Sequence, residues 1–168
     1  MEWPREANRW KIRSTAAPEV SIRPLERGDI VDDAAANNLP TVLIADDEHH
    51  IRFMLEWKLK SDDVRILTAA DGKTALLLAQ KHKPALIISD YQMPYMDGIG
   101  LVKCLAQDPE TAHIPVILLT ALEHRISRSE LADTSVEHIL RKPFRPSELL
   151  ELAADYLRDY RDRTGEAA

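Results

Sequence analysis

The sequence predicts an α/β fold: a doubly wound, five-stranded parallel sheet with helices on both faces. Three observations predict it. From Thr41 onward, strand-like apolar runs alternate five times with helix-like segments. The connections are short, and in such an alternating chain they imply right-handed β–α–β units. The first, third and fourth runs are almost wholly apolar, as strands covered on both faces must be, whereas the second and fifth carry charged or polar residues suited to sheet edges. A strand order of 2-1-3-4-5 satisfies that edge assignment, and it reverses direction between the first and third strands.

The elements follow in order. The first strand, 41–45, contains Val42-Leu43-Ile44-Ala45 and leads into a helix near 48–61 with Ile51, Leu55 and Leu59 as its core stripe. Phe53 and Trp57 lie roughly opposite that stripe, either as an exposed aromatic patch or with Trp57 tucked against the last helix. The second strand, 64–69, precedes a helix near 71–82, and the third strand, 85–90, ends in Asp90. Asp97 is placed to cap a helix over 97–107, with Asp108-Pro109 marking its exit. The fourth strand, 115–120, ends in Thr120, and the following helix near 122–132 is highly charged through Glu123, Arg125, Arg128 and Glu130. The fifth strand, 136–141, precedes Lys142. Pro146 suits the first turn of a last helix over 146–161, whose apolar face is Leu149, Leu152, Ala153, Tyr156 and Leu157.

Residues 1–40 differ from the rest. Pro4, Pro18, Pro24 and Pro40, charges of both signs and no sustained periodicity predict a mostly disordered extension, with Ala34-Ala35-Ala36 as a short helix at most. Trp3 and Trp10 leave it two roles, a leader without function or a docking segment. Residues 41–161 are the expected domain and 162–168 a tail, with no DNA-binding or enzymatic output domain expected after the last helix.

Bulk properties exclude several classes. The 168 residues suffice for one domain with a sizeable core. A net charge of -6 argues against binding a nucleic-acid backbone. Cys104 is the only cysteine, so no disulfide forms within the chain and a reducing compartment is expected; in its helix-like setting it reads as a small buried hydrophobe. No apolar stretch is long enough to span a membrane, and the N-terminus lacks the apolar core of a signal peptide, so a cytoplasmic location is expected.

The chemistry lies at the strand ends. In a parallel sheet, Asp46, Asp47, Asp90, Thr120 and Lys142 converge on one crevice at its C-terminal edge. Carboxylates crowded to about 4 Å repel by roughly 4 kcal/mol at an effective dielectric near 20. Such a cluster is stable when protonated, paired or bridged by a cation. Mg²⁺ suits it, being a hard ion that takes a few carboxylate oxygens and keeps several waters; the bland alternative is a helix-capping pair with no metal. A carboxylate such as Asp90 can attack phosphorus to form an acyl phosphate. The Thr120 hydroxyl and the Lys142 ammonium would orient and neutralise phosphoryl oxygens.

These residues carry a resemblance. The stretches Leu43-Ile44-Ala45-Asp46-Asp47-Glu48, Asp90-Tyr91-Gln92-Met93-Pro94-Tyr95-Met96-Asp97-Gly98, Thr120-Ala121 and Lys142-Pro143-Phe144 resemble the response-regulator receiver domain of two-component signalling, over about 41–161. The resemblance implies a flavodoxin-like fold with Asp90 as phosphoacceptor. It implies Mg²⁺ held by Asp47, Asp90 and the Gln92 backbone carbonyl, with Asp46 acting largely through water. It implies phosphoryl contacts from Thr120 and Lys142, and a cis bond between Lys142 and Pro143. The implied partners are a histidine kinase or histidine phosphotransfer protein and a downstream protein target, with homodimerisation open; the first helix commonly meets the kinase in this family.

Two departures from the family pattern stand out. Ile139 stands where an aromatic commonly switches inward, and Ser135-Val136 replaces the common Gly-Ala pair. The positions that tune dephosphorylation are Gln92 and Leu122, and Leu122 cannot orient a water, so modest self-hydrolysis is expected. Two rival classes remain: a receiver-fold scaffold that signals without phosphate, kept open by Ile139, and an aspartyl-nucleophile phosphohydrolase, disfavoured because Gln92 stands where a second acid is wanted. His49-His50 are adjacent rather than four apart and are expected to be exposed rather than metal-binding.

Overall fold

A computed structural model of the chain describes residues 39–121 and 126–165. The predicted N-terminal extension, apart from residues 39 and 40, lies outside the described residues, as do Leu122, Glu123 and Arg125. The elements are β1 (Thr41–Ala45), α1 (His49–Leu59), β2 (Arg65–Ala69), α2 (Gly72–His82), β3 (Leu86–Asp90), α3 (Gly98–Gln107), β4 (Val116–Thr120), α4 (Arg128–Leu131), β5 (Val136–Arg141) and α5 (Pro146–Thr164). All strand pairings are parallel and the order is β2-β1-β3-β4-β5, so the sheet is doubly wound as the polarity of its runs predicts.

Alternation along each strand divides the core in two. Val42, Ile44, Leu86, Ile88, Ile117, Leu119 and Leu140 meet Leu55 and Leu59 of α1 and Leu149, Ala153 and Leu157 of α5. Leu43, Ala45, Ile87 and Val116 meet Ala75 and Ala79 of α2 and Leu101, Val102 and Leu105 of α3 on the other face. β1, β3 and β4 are buried along their whole length, while β2 and β5 are the half-exposed edges.

Local chemistry sets the boundaries. The Asp97 carboxylate accepts from the Gly100 N–H at 2.6 Å and opens α3. The Asp71 carboxylate caps α2 by accepting from the Thr74 N–H at 2.8 Å. Of the expected helix 122–132, residues 122–125 lie outside the described residues and α4 covers Arg128–Leu131: Ser127 and Glu130 form a reciprocal capping box that fixes its start at Arg128, and the chain leaves helical geometry at Ala132. α5 runs past residue 161 to Thr164, because Tyr160 packs on the core and Arg161 donates to the Asp63 carbonyl at 3.0 Å. Cys104 is half-buried on α3 rather than fully enclosed. Trp57 is 66% exposed, which removes the tucked alternative.

Two features bear on the site. The pairing of β4 with β5 slips from Val116–Val136 to Ile117–His138, leaving Glu137 as an extra residue and setting Thr120 beside Arg141. The β3–α3 loop crosses two glycines at close range: a Cβ on Gly72 would collide with the Met96 carbonyl oxygen, and one on Gly98 would lie 2.5 Å from that of Asp90.

Candidate functional site

Asp46 and Asp47 follow β1, Asp90 ends β3, Thr120 ends β4, and Lys142 follows β5. The sheet order puts β1 beside β3 at the point where the winding reverses, so these ends meet. Carboxylate oxygens of Asp46, Asp47 and Asp90 all lie within 4.8 Å of one another. Among the described residues this is the one group of three acids, histidines or cysteines placed to share a cation. Cavities of about 580 and 270 Å³ lie away from these strand ends, along His113–Pro115 and the last turns of α5.

The three acids differ in environment. Asp46 is fully buried and each of its polar atoms is engaged. Its N–H donates to the Ala69 carbonyl at 3.2 Å, and its carbonyl accepts from Arg52 Nη1 at 2.5 Å. Its Oδ1 accepts from the Glu48 N–H at 2.8 Å, and its Oδ2 from Lys142 Nζ at 2.9 Å. Asp90 is 6% exposed and lies 3.2 Å from Lys142 Nζ through Oδ2. Asp47 is exposed, and among the described residues nothing donates a hydrogen bond to its carboxylate.

Burial pushes the Asp90 carboxyl above the usual carboxylate range; the Lys142 charge pulls it down and the Asp46 charge adds to the rise. For Lys142, burial alone would lower the pKa. The hydrogen bond to Asp46 and the charges of Asp90 and Asp46 outweigh it, so the ammonium is held above the ordinary lysine value. Lys142 is therefore a fixed positive charge between two buried acids, with Glu48 a further 3.8 Å away. Its N–H donates to the Thr120 carbonyl at 2.7 Å, which ties the start of the Lys142–Pro143 segment to the end of β4. The Lys142–Pro143 peptide is cis. Thr120 is fully buried at the floor of the crevice, and Gln92 follows Asp90 in the exposed β3–α3 loop.

A family model of the response regulator receiver domain matches residues 42–154. The chain belongs to that family. As a receiver domain of two-component signalling, it is 41% identical over 103 residues to response regulator PleD of Caulobacter vibrioides, covering 61% of this chain and 22% of PleD. It is 38% identical over 124 residues to histidine kinase P4 of Formosa agariphila, covering 74% of this chain and 9% of the kinase. The chain thus spans a small part of the length of these curated relatives. The chemotaxis response regulator CheY4 of Vibrio cholerae superposes on the receiver with a TM-score of 0.63 at 33% identity, covering 70% of this chain and 98% of CheY4. None of the described helices is long and apolar enough to cross a membrane.

The residues present fit Mg²⁺. The donors are hard oxygens, Asp47 and Asp90 offer carboxylates, and Asp46, committed to protein donors, is left a supporting part. Ile139 is half-buried on β5, where the family pattern has an aromatic. His49 and His50 are exposed in the first turn of α1, His49 stacking on Phe53 and His50 lying 3.5 Å from Glu48. Sequence reasoning missed Arg52. A cation in the first turn of a helix opposes the macrodipole, which favours anions at that end, but residue type alone does not tell a solvated arginine from one bonded back to a carbonyl.

Proposed function

We propose that the receiver takes a phosphoryl group onto Asp90 from a histidine kinase or histidine phosphotransfer protein, in the cytoplasm, and that the change is read by a further protein. The observation that carries this is the Lys142 ammonium set 2.9 Å from Asp46 and 3.2 Å from Asp90 beside an unengaged Asp47. A structural ion pair needs one acid; here a third carboxylate is left open to solvent. The Asp90 carboxylate attacks phosphorus, the new P–O bond forms as the P–N bond to the donor imidazole breaks, and the imidazole leaves with its electron pair. Lys142 neutralises the phosphoryl oxygens that arrive beside it, and Thr120 is placed to donate its hydroxyl to them. Asp47, Asp90 and the Gln92 backbone carbonyl would hold Mg²⁺, with Asp46 reached through water, and the ion would supply charge neutralisation between carboxylate and phosphoryl group. The chain acts as a signalling module whose own residues make and break the acyl phosphate. With a half-buried Ile139 in place of an aromatic, the readout would use Ile139 itself, His138 or backbone shifts rather than ring rotation.

The test is direct. Incubation with acetyl phosphate and Mg²⁺ should add the mass of one phosphoryl group, and the gain should vanish in Asp90→Asn and in EDTA. A chain that gains no mass with any donor is a scaffold, and the proposal then falls.

We further propose that the phosphodonor docks against α1. Phe53 and Trp57 are 63% and 66% exposed, on the side away from Leu55 and Leu59, and Lys58 Nζ lies 5.0 Å from the Trp57 ring. Large exposed aromatics with a neighbouring cation are the residues that dominate interfaces. The double substitution Phe53→Ala, Trp57→Ala should slow transfer from a phosphorylated protein partner by about tenfold or more, while labelling by acetyl phosphate stays unchanged. Equal loss with both donors would place the damage in the fold rather than in docking.

A further inference from the structure

We infer that Arg52 is a positioning residue for the cation site. It holds the peptide between Asp46 and Asp47, and so sets the direction in which the Asp47 carboxylate leaves the backbone. The inference rests on the metal reading above and adds a residue to it.

Three observations support it. Arg52 Nη1 donates to the Asp46 carbonyl at 2.5 Å, a short charge-assisted bond reaching back across the β1–α1 turn. That carbonyl and the Asp47 N–H belong to one rigid peptide plane, so fixing the first fixes the second. The Asp47 carboxylate is exposed and receives no hydrogen bond among the described residues, yet it lies within 4.8 Å of the Asp46 and Asp90 oxygens. With nothing holding the side chain itself, its placement follows from its backbone. Asp46 does not share this dependence, because Glu48 and Lys142 hold its carboxylate directly.

The sign of the effect separates positioning from charge. If Arg52 mattered only as a nearby cation, removing it would strengthen Mg²⁺ binding by deleting a repulsion. As a positioning residue, its removal must weaken binding. A purely structural role would lower the melting temperature and leave the affinity alone.

The experiment is calorimetric titration of Mg²⁺ into the unphosphorylated full chain. Arg52→Met keeps the apolar stem and removes the donor, and should raise the Mg²⁺ Kd by about tenfold, the scale seen when groups that orient metal ligands are lost. Arg52→Gln, which shortens the reach, should weaken binding in the same direction and serves if the methionine chain folds poorly. Arg52→Lys should recover most of the affinity. A parent chain that binds Mg²⁺ while the Met and Gln chains bind it equally well, or more tightly, overturns the inference alone. A parent chain that takes up no Mg²⁺ overturns the metal reading and the inference with it.

Discussion

Lys142→Met is expected to destabilise the receiver by about 3 kcal/mol in Mg²⁺-free buffer, because it strips a buried acid of its charged partner. The Asp46 carboxylate is fully buried and Oδ2 accepts from Lys142 Nζ at 2.9 Å; Asp90, 6% exposed, loses the same cation at 3.2 Å. Breaking a buried pair from one side costs on the order of 3–5 kcal/mol, and the lower end applies because the Lys142 side chain keeps 18% of its surface in water. Methionine fills the volume of the stem, so the loss is electrostatic rather than a cavity. Two controls follow from the same geometry. Adding Asp46→Asn to Lys142→Met removes the stranded charge while keeping an oxygen for the Glu48 N–H, and should recover most of the loss. Millimolar Mg²⁺ should also narrow the gap, since an ion that binds only the folded chain stabilises it by mass action and neutralises the acids that Lys142 no longer faces. Urea melts with EDTA or with Mg²⁺ measure all three. A Lys142→Met chain as stable as the parent in EDTA would mean that Asp46 is not held as an ionised partner.

The Lys142 arrangement was open to sequence reading because its parts sit at strand ends. The polarity of the five runs identified β2 and β5 as edges, and that order brings the ends of β1 and β3 together whatever the loops do. What the sequence left hidden depends on side-chain reach rather than on period. The Arg52 bond runs backward across a turn to a carbonyl, and no pattern of residue types distinguishes it from a solvated arginine. The extension of α5 to Thr164 follows from Arg161 meeting the Asp63 carbonyl, a contact between segments nearly a hundred residues apart. The start of α4 was legible and overlooked: Ser127-Arg128-Ser129-Glu130 spells a capping box, but the charge of the surrounding stretch suggested one longer exposed helix.

Under the proposed function, the same geometry would separate accepting a phosphoryl group from signalling its presence. On the function proposed above, acceptance would rest on groups fixed by the buried strands β1, β3 and β4 and by the Thr120–Lys142 backbone bond. Readout would fall to β5 and its neighbours, where the edge strand bulges at Glu137, α4 is a single capped turn, and Ile139 is half-buried. The chemistry proposed would then sit on the enclosed strands and the switching on the less enclosed edge, where low local stability is useful.

Gly98→Ala is expected to cost about 2–3 kcal/mol, near the top of the range for overpacking a filled core, and to slow labelling of Asp90 by acetyl phosphate by at least about tenfold. The added methyl would lie 2.5 Å from the Asp90 carbonyl oxygen, 2.8 Å from Leu118 Cδ1 and 3.0 Å from Tyr91 Cα. Two of those neighbours are backbone, held by the Tyr91 N–H on the Leu119 carbonyl at 2.7 Å and the Gly98 N–H on the Tyr91 carbonyl at 2.8 Å. The strain cannot be relieved by turning a flexible side chain; it must move the end of β3, the backbone that aims the Asp90 carboxylate. Misplacing a reacting atom by about 1 Å is enough to cost two orders of magnitude in rate. Gly100→Ala is the comparison. Its methyl would meet only the side-chain atoms Asp97 Oδ1 at 3.1 Å and Met96 Cγ at 3.2 Å, and alanine favours the helix by about 1 kcal/mol over glycine. That chain should melt within about 0.5 kcal/mol of the parent and be labelled at the parent rate. If Gly98→Ala behaves like Gly100→Ala in both urea melting and phosphoryl uptake, the close packing of α3 on the end of β3 does not aim the acceptor.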